Sequence, residues 1–146
     1  MKRTIYFDMD GTFANLYGVE NWLEDLINHN ERPYREAKPL FRMCDFARAI
    51  HKCQANGYEV GVISWLAKNS NEEYDERVAN AKMEWLATHL PSVQFDVIHI
   101  VEYGTPKQMF GNIQDYLFDD EKPNRENWCG EAFDVNAILE VMKELV

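Results

Sequence analysis

Short apolar runs alternate along the chain with longer stretches whose apolar residues recur every three or four positions, the pattern of strands alternating with amphipathic helices. Thr4-Ile5-Tyr6-Phe7 is a β-prone run ending at Asp8, and Gly11 just beyond it suits a tight turn. Val19 to Asn28 carries Val19, Trp22, Leu23, Leu26 and Ile27 at helical spacing, and a polar loop with Pro33 and Pro39 follows. A second helix fits Phe41 to Asn56, with Phe46, Ala47, Ile50 and Cys53 on one face and Gly57 as its stop. Tyr58 to Ile63 reads as a mostly apolar, buried strand ending at Ser64. A helix from about Tyr74 to Leu90 turns Val78, Ala81, Trp85 and Leu86 inward and stops at Pro91.

Asp96 to Val101 is a third strand, after which Pro106 opens a brief helix containing Lys107. Tyr116-Leu117-Phe118 is a fourth strand, leading into Asp119-Asp120. The tail holds a short strand near Ala132-Phe133 and a helix from Val135 to Leu145, with Val135, Ile138, Leu139 and Met142 inward. This order predicts an α/β fold, a Rossmann-like doubly wound three-layer sandwich on a mainly parallel sheet, whose ligands sit beyond the carboxyl ends of the strands. Asp8, Ser64 and Asp119-Asp120 each follow a strand, so three segments converge on one edge. No repeat, low-complexity tract or linker divides the 146 residues, and a single domain is expected.

Composition narrows the partners. With 46% hydrophobic and 13% aromatic residues the chain has the makings of a packed core. A net charge of -10 argues against a nucleic-acid polymer or an anionic membrane surface as partner, since both reward clustered Lys and Arg. Cys44, Cys53 and Cys129 form no CxxC pair and read as reduced thiols of a cytoplasmic protein. No run approaches the roughly 18 apolar residues of a membrane helix. Met1-Lys2-Arg3 leads straight into the first strand, so no cleaved leader is expected.

Two carboxylates one residue apart at a strand end can divide the labour of hydrolysis, Asp8 attacking while Asp10 moves protons. Attack on a phosphate monoester requires its charge to be offset by a hard cation, a fixed ammonium and convergent donors. Magnesium fits the first need, held by Asp8, Asp120 and the backbone carbonyl of Asp10. Ser64 and Lys107 are candidate phosphate ligands, helped by the loop amides after Asp8.

Ile5-Tyr6-Phe7-Asp8-Met9-Asp10-Gly11-Thr12 resembles the first motif of the haloacid dehalogenase-like (HAD) hydrolases. Val60-Gly61-Val62-Ile63-Ser64 is similar to their second motif, Thr105-Pro106-Lys107 supplies a third-motif lysine, and Leu117-Phe118-Asp119-Asp120 resembles the acidic fourth. The resemblance implies an aspartyl-phosphate on Asp8, with Asp10 as acid and then base. An Asp at position 10 implies phosphatase or phosphomutase chemistry. It also implies Asp120 as direct metal ligand with Asp119 outside it, although the residues alone support the reverse.

Within that superfamily the chain is most similar to the 5'(3')-deoxyribonucleotidases, through its DMDG opening, a strand ending in Ser, a Tyr/Trp-containing helix and the DD pair. It departs from them between about residues 13 and 41, where a minimal cap replaces their substantial helical one. Phe13, Tyr17 and Trp22, with Trp65, are candidate base-stacking residues, each stacked base contributing on the order of 1–3 kcal/mol.

The same residues have plainer readings. DxDGT also occurs as a turn or a calcium-loop fragment, Ser64 could cap a helix, and a lone lysine such as Lys107 is usually at the surface. Motif order favours the catalytic reading. Trp22, Trp65 and Trp85 are by default packing residues. His29, His51, His89 and His99 lack zinc-site spacing, and Lys122 and Arg125 fit an exposed loop as well as a substrate contact. A small phosphorylated substrate is expected, a nucleoside monophosphate ahead of a sugar phosphate or a larger phosphorylated partner. A receiver domain uses similar residues but places its acidic pair first, the reverse of the order here, and a non-catalytic binding module is the remaining alternative.

Overall fold

A computed structural model describes residues 2–146. Strand β1 (Thr4–Phe7) is followed by a two-residue strand β2 (Ala14–Asn15), helices α1 (Trp22–Ile27) and α2 (Arg32–Glu36), and a two-residue strand β3 (Lys38–Pro39). Then come α3 (Met43–Ala55), β4 (Glu59–Trp65), α4 (Glu72–His89), β5 (Val97–Val101), β6 (Tyr116–Phe118), α5 (Lys122–Asn127), β7 (Glu131–Phe133) and α6 (Ile138–Glu144). Five strands form one parallel sheet in the order β5-β4-β1-β6-β7. The chain winds outward from β1 in one direction and then in the other, so the carboxyl end of β1 lies at the switch point where such sheets bind ligands. The α/β, doubly wound expectation holds.

Alternation of side chains across the sheet divides the core. Ile5, Phe7, Val60, Val62 and Phe118 pack on one face with Phe46 and Ile50 of α3, Trp85 of α4, and Ile138 and Met142 of α6. Tyr6, Ile63 and Leu117 face the other way, toward Trp128 and Phe110. No described helix is long and apolar enough to cross a membrane.

Several elements differ from the sequence expectation, each for a local reason. The helix expected over Val19 to Asn28 is shorter, a 3-10 turn at Leu16–Gly18 followed by α1. The Pro33 segment, expected as loop, is helix α2, because proline in a first helical turn gives up only an N–H that has no helical partner. Helix α5, likewise with Pro in its first turn, occupies the stretch read as an exposed loop. Strand β4 runs on to Trp65, so Ser64 lies within it, where parallel pairing with β5 extends to Val101. In the last helix Ile138 and Met142 face the core one turn apart, which turns Leu139 outward to 38% exposure.

β2 and β3 pair antiparallel and close off residues 16–37 as a small helical insertion beside β1. It is fastened to α4: Tyr74 donates its hydroxyl to Asn30 O (3.0 Å), Arg77 donates to His29 O (2.8 Å), and Arg35 pairs with Glu84 (2.7 Å).

Candidate active site

The turn after β1 sets the floor of the site. Asp8 donates its N–H to Phe118 O at 2.9 Å, which ties the strand end to β6. Gly11 adopts φ +82°, and a Cβ there would run into the Asp120 carboxylate and come within 2.9 Å of the Tyr17 ring. Glycine is required for both reasons. The turn brings Thr12 back so that its hydroxyl donates to Asp8 Oδ2 at 2.9 Å. Lys107, 2% exposed at the start of a 3-10 turn, donates to Asp8 Oδ1 and to Asp119 Oδ2, both at 2.8 Å. Both Asp8 oxygens are thereby oriented by donors.

Asp119 is fully buried: its Oδ1 accepts from the Glu121 N–H (2.9 Å) and its Oδ2 also from Asn124 (3.1 Å). Asp120 is only partly buried and sits against Asp8, with a long contact of 3.5 Å to the Thr12 hydroxyl. One carboxylate oxygen each from Asp8, Asp119 and Asp120 lie within 4.8 Å of one another. Burial pushes the Asp120 carboxyl up to about 8, helped by its hydrogen bond to Asp8 and the charges of Asp8 and Asp119. Burial and the Asp8 charge hold Asp119 at about 6 against the pull of Lys107. For Asp8, burial acts upward but the Lys107 ammonium, with hydrogen bonds from Asp120, Lys107 and Thr12, brings it below the usual carboxylate range. Three carboxylates this close repel one another and offer only oxygen donors, which suits a hard divalent cation. Asp10 contributes no carboxylate oxygen to this trio.

The Asp10 side chain turns instead to a residue that sequence reasoning missed. Lys82 of α4 is fully buried and uses all three of its protons, on Asp10 Oδ2 (2.7 Å), Ser64 Oγ (2.6 Å) and Trp65 O (2.7 Å). Because Ser64 Oγ accepts from Lys82, its own proton is free to be donated elsewhere. Burial raises the Asp10 carboxyl above the usual range, with Lys82 pulling the other way. The signal was present in the sequence: Lys82 lies between Val78, Ala81 and Trp85 on the stripe that helical spacing turns inward.

A cleft of about 300 Å³ opens above Asp8, Asp10, Lys107 and Asp119. Tyr17 and Trp22 form one wall, edge to face at 4.9 Å, and Trp65 and Tyr103 another, at 5.1 Å. Trp65 also lies under the Lys107 ammonium at 5.2 Å. Of the aromatic candidates, Phe13 is not in the cleft: it is fully buried against Phe7, Phe46 and Trp85, because the turn at Gly11 directs it into the core. Ser64 and Thr12 are fully buried and lie outside the lining. Lys122 and Arg125 are also outside the lining; Arg125 donates to Asp119 O at 3.0 Å, bracing the loop that carries the acidic pair.

No family model and no curated protein sequence matches the chain. Among solved structures it is similar to a chain of the Pnkp1/Rnl/Hen1 complex, with a TM-score of 0.60 at 15% identity, covering 92% of this chain and 46% of that one. It is also similar to D,D-heptose 1,7-bisphosphate phosphatase from Burkholderia thailandensis, with a TM-score of 0.54 at 15% identity, covering 86% of this chain and 70% of that one. The chain therefore spans less than half the length of the first. At this identity the likeness establishes the fold alone, a parallel α/β sheet with helices on both faces.

Proposed function

We propose that this chain is a magnesium-dependent phosphomonoesterase that works through an aspartyl-phosphate on Asp8, with nucleoside monophosphates as its preferred substrates. The observation that carries the reading is the floor of the cleft: a carboxylate with both oxygens oriented by donors, beside a second carboxylate held by a buried ammonium. Fold likeness to a phosphatase adds to it.

In the first half-reaction an Asp8 oxygen attacks phosphorus, the ester P–O bond breaks, and Asp10 delivers its proton to the departing oxygen. Its raised pKa suits a group that must carry that proton. In the second, Asp10 takes a proton from water as the water oxygen attacks phosphorus, the bond from Asp8 to phosphorus breaks, and inorganic phosphate leaves. Lys107 offsets charge beside Asp8, while Ser64, buried outside the cleft lining, shares Lys82 with Asp10. Asp8, Asp120 and the Asp10 carbonyl would hold magnesium, with Asp119 locking Lys107 behind them. The ion supplies charge neutralisation at the phosphate oxygens.

The two aromatic walls favour a planar, apolar group on the leaving side, as in a nucleoside. A second phosphate would need its own cations, and Lys68 is the only basic lining residue besides Lys107. Monophosphates are therefore preferred over bisphosphates. The test is phosphate release from nucleoside monophosphates, sugar phosphates and phosphopeptides. We expect nucleoside monophosphates to be fastest, EDTA to stop release and added magnesium to restore it. Equal release with EDTA present, or none from any phosphomonoester, would sink the proposal.

A further inference from the structure

Four tyrosines are buried in this fold, and three of them satisfy their hydroxyls inside the chain. Tyr6 donates to Phe110 O (3.1 Å), Tyr74 donates to Asn30 O (3.0 Å), and Tyr116 accepts from Arg3 (3.3 Å). The fourth is Tyr34 of α2, 4% exposed, whose hydroxyl has no hydrogen-bond partner among the described residues. Its ring packs with Leu16 and Tyr74 and faces the Lys82 ammonium at 5.0 Å, while the residue lines the cleft over Asp8 and Asp10. The hydroxyl is not sealed inside the fold but reaches the cleft, where water can pair with it; a ligand that displaces that water must take over the hydrogen bond or leave the hydroxyl unpaired at a cost.

Position decides which part of a substrate it meets. Lys107 joins Asp8 to Asp119, so the phosphate's charge is offset on that side. Tyr34 instead lies against the Lys82 ammonium that holds Asp10, the group that hands its proton to the departing ester oxygen in the reading above. Building on the phosphatase reading above, we infer that Tyr34 is a specificity-determining residue of the insertion, donating its hydroxyl to an oxygen on the leaving group's carbon skeleton. The substrate class is a phosphate ester of a sugar-bearing molecule, the sugar oxygen meeting Tyr34 and an apolar ring reaching the aromatic walls. A simple aryl phosphate lacks that oxygen and gains nothing from the hydroxyl.

The experiment is binding to the Asp8→Asn protein, which holds ligand without turnover, read in magnesium buffer through the fluorescence of Trp22 and Trp65 in the cleft. A nucleoside 5'-monophosphate and phenyl phosphate are titrated with and without Tyr34→Phe, which keeps the ring under Lys82. We expect Tyr34→Phe to weaken the nucleotide roughly tenfold and phenyl phosphate less than about twofold. Equal weakening of both would assign the hydroxyl to the phosphate or to the fold and overturn the inference. No weakening of either would also overturn it, as would failure of the Tyr34-containing protein to hold the nucleotide at all. Phosphate release by the unmodified chain from any phosphomonoester, measured alongside, judges the proposed function separately.

Discussion

Replacing Asp8 by asparagine is expected to lower magnesium-dependent phosphate release by about 10⁴-fold or more, some 5 kcal/mol or more of transition-state stabilisation. The change is nearly isosteric. An amide oxygen can still accept from Lys107 or Thr12, so the fold and the cleft survive while the nucleophilic charge is lost. Asp8 is also a main source of the crowding that raises Asp119 and Asp120, and the variant relieves it. Because the bonds that hold its carboxyl below the usual range also make the Asp8 charge stabilising, the Asp8→Asn chain is expected to melt modestly lower than the wild type, still cooperatively, while being inactive. Activity within tenfold of wild type would remove Asp8 from the chemistry, and a collapsed melting transition would attribute its loss to unfolding.

Lys82→Met is expected to destabilise the chain by about 3–5 kcal/mol, because it strips a fully buried ammonium from a carboxylate, a hydroxyl and a carbonyl at once. Phosphate release falls with it, since Asp10 and Ser64 lose the group that positions both. The part of the cost that belongs to the stranded Asp10 charge is separable. In the Lys82→Met/Asp10→Asn double variant that charge is gone, so urea denaturation is expected to recover 1 kcal/mol or more relative to the sum of the single changes. Strict additivity, or a single-variant cost below about 1 kcal/mol, would mean that Lys82 is not the pin between α4, β4 and Asp10.

Those two residues mark the limits of what the sequence disclosed. Asp8 was legible because an apolar run, a carboxylate pair and a turn glycine follow one another within eight residues, so strand, carboxylate pair and loop are read locally. Asp119-Asp120 was legible for the same reason after β6, and Lys107 by its place in the order. Lys82 was not, since a helical lysine is ordinarily solvated, and only the stripe it shares with Val78, Ala81 and Trp85 betrays it. Phe13 misled through proximity: it stands five residues from Asp8, yet the turn at Gly11 sends it to the core, while Tyr17 and Trp22 farther along reach the cleft. Tyr34 was hidden because Pro33 reads as a loop residue, whereas here it sits in the first turn of α2 and the helix presents Tyr34 to both α4 and the cleft. What depends on neighbours in sequence was visible; what depends on the insertion meeting α4 required the fold.

The central claim is covalent, and it is tested most directly by trapping the intermediate. Asp10→Asn removes both the acid of the first half-reaction and the base of the second; an aryl phosphate, whose leaving group departs without being protonated, bypasses the first loss, so its phosphate should accumulate on the protein. Acid quench of that variant after mixing with 4-nitrophenyl phosphate and magnesium, followed by peptide mass spectrometry, is expected to find one phosphate on Asp8 and none in Asp8→Asn/Asp10→Asn. Turnover by the wild type with no phosphorylated Asp8 in the trapped variant, or phosphate on another residue, would contradict the account.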